Sequence, residues 1–159
     1  MNIPFYKQMT DYSCGPASLQ MVLEYFGKHV AQKTLGKIMD TSSKDGTNHK
    51  ALIRAATKNG LYCYVNNEST LHEIKHFLCR DVPVLVHFID PSGDDGHYAV
   101  AAGYKNGELI LNDPWNGKGF RLSEMDFMAR WHDPKNIYKN WVMAISKEKF
   151  SIGKQFLPK

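Results

Sequence analysis

Apolar positions in the first sixty residues recur at helical spacing, and in the next eighty they mostly recur at strand spacing. Leu19, Val22, Leu23 and Phe26 fall at i, i+3, i+4 and i+7, which predicts a helix that begins at or beside Cys14 and stops at Gly27. Residues 32–39 read as a short helix and 41–46 as a polar loop. Thr47 is the expected cap of a further helix through Ala51, Leu52, Ala55 and Ala56 that ends at Asn59-Gly60. Residues 61–65 predict a strand. Thr70-Leu71-His72-Glu73 is a capping box opening a helix to about Arg80, and residues 82–89 are an apolar strand. A loop rich in Asp and Gly, residues 90–96, reads as a solvated turn. Strands over 97–104 and 108–113 follow, joined by the hairpin dipeptide Asn106-Gly107. Ser123 caps a helix to about Trp131, and residues 141–145 form a last strand before a polar tail. The pattern is that of one α+β domain over residues 1–159, its core spanning about 3–145, with a helical first half packed on an antiparallel sheet from the second.

Composition narrows the function classes. A formal charge of +4 from 20 basic and 16 acidic residues, with no basic run, excludes nucleic acid as the default partner. No stretch approaches eighteen apolar residues, and the start lacks a charged region followed by an apolar one, so the expectation is a cytoplasmic chain without a membrane segment. The three cysteines, Cys14, Cys63 and Cys79, are odd in number and not closely paired, which predicts reduced thiols. Cys63 and Cys79 read as inert.

Cys14 differs because of where it sits. Unpaired N–H groups and the positive end of the macrodipole at a helix start favour an anion, so a thiol there ionises more readily and becomes a nucleophile. Six residues upstream, Gln8 can return a side-chain amide to the oxyanion formed when that sulfur attacks a carbonyl. The hairpin offers the remaining groups. With Tyr104 opposite Leu109, residue 97 lies near 116 and residue 100 near 113, all at the sheet edge away from the turn; a short offset or bulge lets Asp113, or Asn112, reach the His97 imidazole. An imidazole beside the thiol takes and returns its proton while a carboxylate fixes its orientation. Tyr12, Tyr98, Trp115 and Phe120 are candidates for lining a cleft or for the core.

Gln8, Cys14-Gly15-Pro16-Ala17, Gly96-His97-Tyr98-Ala99-Val100 and Asn112-Asp113-Pro114, in that order, resemble the papain-like cysteine peptidases that process bacteriocin precursors after a double-glycine leader, and their stand-alone relatives. The resemblance covers about residues 3–145. It implies a papain-like fold with Cys14 as nucleophile, His97 as base, Asp113 as its orienting partner and Gln8 in the oxyanion hole, acting on a peptide or protein substrate without a cofactor. Ser13 stands where members often carry an aspartate, and Asp11 lies two residues earlier. The reaction expected is hydrolysis of a peptide or related amide through a thioester acyl-enzyme. Alternatives are an acyl transferase using the same three groups and a peptide-binding module without turnover.

One motif points to different chemistry. His72-Glu73-Ile74-Lys75-His76 matches H-E-x-x-H, in which two histidines one turn apart hold zinc and the glutamate activates water. Leu71, Ile74, Phe77 and Leu78 gather on one side of that helix and leave both histidines facing solvent, so the motif reads as a chance pattern on a polar face, and no metal is expected. The Asp90, Asp94, Asp95 loop likewise lacks the closing glutamate of a calcium loop, since Ala101 occupies that place.

Overall fold

The computed structural model describes residues 1–151 and 153–159. The first third is helical, with α1 over Cys14–Tyr25, α2 over Gln32–Ile38 and α3 over His49–Lys58. Then follow β1 (Tyr62–Asn66), α4 (Leu71–Leu78), β2 (Val84–Ile89), β3 (Gly96–Lys105), β4 (Glu108–Asp113), β5 (Gly117–Ser123), α5 (Glu124–Arg130), β6 (Val142–Ser146) and β7 (Gln155–Phe156). The helix starts follow side-chain chemistry: the Thr70 and Ser123 hydroxyls accept from the N–H of Glu73 and Asp126, each at 3.1 Å. At α3 the cap is Asn48, whose Oδ1 accepts from Ala51 N–H at 2.8 Å, and not Thr47. Thr47 is already committed, its hydroxyl to Thr41 at 2.7 Å and its carbonyl to the Tyr98 hydroxyl at 2.9 Å.

Among the described residues the strands form one antiparallel seven-stranded sheet in the order β5-β4-β3-β2-β6-β1-β7. Side chains alternate between two cores. Leu85, Tyr98, Val100, Met143 and Ile145 join Leu19, Val22, Leu23, Leu35 and Leu52 under α1–α3. Val84, Val86, Phe88, Ala99, Ala101, Val142 and Ala144 join Ile74, Phe77 and Phe127 under α4 and α5. Helices on both faces explain why β2, β3 and β6 are apolar at nearly every position. At roughly 25 cal/mol per Å² of apolar surface removed from water, these two cores are the main source of stability. No helix among the described residues is long and apolar enough to cross a membrane.

Two strands escaped the sequence pattern. β5, Gly117-Lys118-Gly119-Phe120-Arg121-Leu122-Ser123, is an edge strand whose outer positions face water, so it needs no apolar run. β7 falls in the polar tail and pairs Phe156 with Cys63 and Gln155 with Tyr64. The central hairpin forms as its turn dictates: Asn106 and Gly107 have φ of 53° and 77°, the positive values that a type I′ turn requires. Tyr104 pairs with Leu109, and the register then shifts between Ala101 and Gly103, so that Val100 pairs with Asn112. That bulge has a consequence for chemistry. An unbroken ladder from Tyr104–Leu109 would set His97 and Asp113 on opposite faces, whereas one extra residue at Ala102 brings both onto the face of Ala99 and Leu111.

Candidate active site

Cys14 is the first residue of α1 and is half-buried. The helix mouth is left open to a ligand. Ser13, at the cap position, makes no capping bond, because its Oγ accepts from Thr10 N–H at 2.8 Å. The first-turn N–H of Cys14 therefore has no intrahelical acceptor and no cap. The mouth is also fixed in place. A Cβ on Gly15 would come within 2.6 Å of the Thr47 hydroxyl, so only glycine permits the contact between α1 and the approach to α3. The Tyr98 hydroxyl has one proton and donates it to the Thr47 carbonyl, which can only accept; His49 Nδ1, 2.7 Å from the same oxygen, must then be the donor of the second bond. His49 is stacked on Trp141 with ring centres 3.9 Å apart and 8° between planes. The residue that seats the helix mouth is thus the immediate neighbour of His97 on β3.

His97 and Asp113 are both buried, and His97 Nε2 lies 2.6 Å from Asp113 Oδ1. The same oxygen accepts from the N–H of Trp115 at 2.9 Å and of Asn116 at 3.0 Å. Asn116 Nδ2 donates to Asp113 Oδ2 at 3.1 Å and to Asp90 Oδ1 at 3.0 Å, while Asp90 takes two further bonds from Ser92. The carboxylate that faces the ring is therefore held from four directions. Burial by itself lowers the His97 pKa, but the hydrogen bonds to Asp113 and Cys14, with the charges of both, overcome it and raise the value to about 10. Asp113 is opposed by burial in the same way and is nonetheless held below the usual carboxylate range by His97 and Asn116. Since Nε2 is taken by Asp113, Nδ1 is the ring nitrogen left for Cys14.

Gln8 is buried beside this group, and its backbone N–H donates to the Pro114 carbonyl at 3.0 Å, which ties the N-terminal segment to the residue after Asp113. Its Nε2 gives one hydrogen to Thr10 O at 2.7 Å and has a second to offer. Its Oε1 is buried without a partner among the described residues. Asn112, the alternative partner for the imidazole, instead donates to Ile3 O at 3.0 Å.

The other sequence candidates separate. Tyr98 is core, Phe120 packs on the α5 side, Tyr12 is half-buried, and Trp115 is half-exposed one residue beyond Pro114. The acidic loop is not simply a solvated turn: Asp94 and Asp95 are exposed, but Asp90 is buried under Asn116. Sequence reading missed Asp90, Asn116, Thr47 and His49. Asn116 had a signal, since Asp-Pro-x-Asn is the pattern of an aspartate that accepts from the backbone two and three residues ahead. At the H-E-x-x-H motif the Glu73 carboxylate is consumed by Tyr64 at 3.0 Å, Asn66 at 3.0 Å and Ser69 at 2.7 Å, so it clamps α4 to β1. His76 Nδ1 faces Arg80, His72 is exposed, and no cluster of metal-ligating side chains occurs among the described residues. Cys63 is buried, which pushes its thiol up to about 12, and Cys79 is exposed. A second concavity, bounded by Phe26, Arg80 and Phe150, lies at the opposite end of α1 from Cys14.

Comparison with known proteins gives the same outline. The family model described as the Peptidase_C39 like family matches residues 1–139. An uncharacterised protein of Methanothermobacter marburgensis is 33% identical over 112 residues, 70% of this chain and 72% of that protein. The pediocin PA-1 transport/processing ATP-binding protein PedD of Pediococcus acidilactici is 27% identical over 127 residues, 78% of this chain but 17% of that protein. A double glycine motif protease from an AMS/PCAT transporter, solved in complex with the leader peptide, superposes with a TM-score of 0.72 at 24% identity, covering 91% of each chain.

Proposed function

This chain belongs to the Peptidase_C39 like family and is a cysteine peptidase, and from that premise we propose that Cys14, His97, Asp113 and Gln8 are its catalytic residues. The observation that carries the proposal is the buried pair of His97 and Asp113, bonded at 2.6 Å, on a ring whose proton the Cys14 charge helps to hold.

The reaction follows from those positions. The Cys14 thiolate attacks the substrate carbonyl carbon; a C–S bond forms and the carbonyl electron pair moves to oxygen. The Cys14 N–H and the free hydrogen of Gln8 Nε2 stabilise that oxyanion. His97, holding its proton up to a pH of about 10, gives it to the leaving amine as the C–N bond breaks. Water enters, loses a proton to His97 and attacks the thioester carbonyl, and the acid product leaves as thiolate is restored. Asp113 keeps the ring oriented, and Asn116 with Asp90 keeps Asp113 oriented. The substrate is a peptide, a reading supported by the leader peptide bound to the structurally similar double glycine motif protease.

Iodoacetamide at neutral pH, with the adducts mapped by mass spectrometry, tests the nucleophile. Cys14 is expected to label at least tenfold faster than exposed Cys79, and Cys63 not at all in the folded protein. Equal rates at Cys14 and Cys79, or hydrolysis surviving in a Cys14→Ala protein, would refute the assignment.

A further inference from the structure

Two consecutive residues of β3 reach opposite sides of the site. Side chains alternate along a strand, so His97 faces Asp113 while Tyr98 faces the helices, on Cα atoms about 3.8 Å apart. The base and Tyr98 cannot move independently.

Tyr98 is buried, and both bonds of its hydroxyl go to the approach to α3. The hydroxyl donates to Thr47 O at 2.9 Å and accepts from His49 Nδ1 at 2.7 Å. Thr47 stands before the Asn48 cap, so its carbonyl lies outside the α3 ladder, and among the described residues the Tyr98 hydroxyl is its only donor. On its other side Thr47 presses on Gly15, the residue after Cys14, so closely that a Cβ there would overlap its side chain. A path of two contacts thus runs from Tyr98 to the backbone beside the nucleophile. A phenylalanine would fill the same space and meet Trp141 as Tyr98 does, with ring centres 5.9 Å apart, so burial by itself does not account for the hydroxyl.

His49 fixes where that hydroxyl points. Its ring is stacked on Trp141, and burial, opposed only in part by Asp133, lowers its pKa to about 4, so near neutral pH it carries one hydrogen, on Nδ1. Burial, then the charges of Cys14 and Tyr138, raise the Tyr98 pKa, so the hydroxyl keeps its own proton.

We propose that Tyr98, its hydroxyl held by His49, is a positioning residue for the reaction: it fixes Thr47, and through Thr47 and Gly15 the place of the Cys14 sulfur relative to the ring carried by the preceding residue of β3. The proposal rests on Cys14 and His97 being nucleophile and base.

Tyr98→Phe keeps the ring and removes one oxygen. Its kcat for peptide hydrolysis, measured on folded protein well below the melting temperature, is expected to fall about 10²-fold with KM unchanged, the scale of a small misplacement of reacting groups. The alkaline limb of its pH–rate profile should begin below the wild-type limb near pH 10, because Cys14 no longer lies where its charge helps His97 keep a proton. His49→Phe keeps a ring on Trp141 but offers no donor, and kcat is expected to fall about fivefold, the scale of one hydrogen bond. His49→Asn returns an N–H where Nδ1 stood and restores kcat. Because His49 acts through the hydroxyl, adding His49→Phe to Tyr98→Phe costs no more than Tyr98→Phe alone.

A Tyr98→Phe enzyme that melts earlier but keeps its kcat and its alkaline limb has lost only packing, and overturns the proposal. Equal kcat values for the two His49 variants overturn it too, and they decide the question if Tyr98→Phe does not fold. Iodoacetamide labelling of Cys14 against Cys79 in the wild-type chain reports the nucleophile separately, so the two assignments fail independently.

Discussion

His97 and His87 stand on adjacent strands, Phe88 pairing with His97 and His87 with Tyr98, yet their rings behave in opposite ways. His97 points to the face where Asp113 waits and is raised to about 10. His87 points to the other face, where burial and then the nearby His49 lower it to about 3; Asp133 pulls it up only in part, and His97 adds to the lowering. Its Nδ1 is buried with no partner among the described residues, and the rings of Tyr98 and His49 lie 4.5 and 5.2 Å from its own. The residue type is the same, and neither side chain is exposed. What differs is a carboxylate in direct hydrogen bond with the ring, and the difference teaches that a buried histidine in this sheet holds its proton only where the strand register supplies its counter-charge.

The comparison breaks most sharply by mutation of the two rings. His97→Ala is expected to lower kcat for peptide hydrolysis by on the order of 10⁶-fold, as loss of a group that acts as a unit with its nucleophile does, whereas His87→Phe leaves it within about tenfold. Comparable losses from both would place the base elsewhere. Next in size is the carboxylate. Asp113→Asn keeps the shape of the side chain and removes the charge that orients the ring, so kcat is expected to fall by about 10⁴-fold, the scale on which a misoriented catalytic histidine fails. A Gln8→Ala enzyme should lose about 10²–10³ in kcat with little change in KM, the signature of one missing oxyanion donor. Smaller again is Asn116→Ala. Loss of a hydrogen bond to a charged group is worth about 1.5–3 kcal/mol, so activity should drop roughly tenfold or somewhat more. With less negative charge fixed beside the ring, the alkaline limb of its pH–rate profile should begin below the wild-type limb near pH 10.

The subtlest effect is on stability against pH. The pKa of His97 is raised in the fold, so its contribution is complete below about 6.5 and is lost as the pH rises toward about 10. His87 and His49 are lowered, to about 3 and about 4, so theirs is complete above about 6.5 and is lost as the pH falls. Each group contributes a slope of at most about 1.4 kcal/mol per pH unit. Urea unfolding across pH 4–10 should show stability falling on both sides of neutrality, with His87→Phe flattening the acid side alone and His97→Ala the alkaline side alone. A variant that flattened the wrong side would contradict the assigned environments.

Much of this was legible beforehand, because it is local. The caps at Thr70 and Ser123, the Asn106-Gly107 turn and the helix beginning at Cys14 all follow from residues within a few positions of one another. The misses are contacts between segments. Thr47 was expected to cap α3, and it serves Tyr98 and Thr41 instead. Asp90 was read as part of a solvated loop, and it lies buried under an asparagine from another strand connection. At the H-E-x-x-H pattern, read from the sequence as a chance match, the partners Tyr64, Asn66 and Ser69 that hold its glutamate were what the sequence did not name.

The sequence by itself determined which groups exist and which local backbone each prefers: a thiol at a helix mouth, a histidine at a strand start, an aspartate before a proline. Tertiary structure alone decided which of them meet. Residues 14, 97 and 113 are brought together by packing across the sheet and by a single extra residue at Ala102. Side-chain direction along a strand alternates, so one position of register separates an orienting carboxylate from one on the far side of the sheet. Local preferences carry no information about that choice, which is set by the summed burial of two cores far apart along the chain.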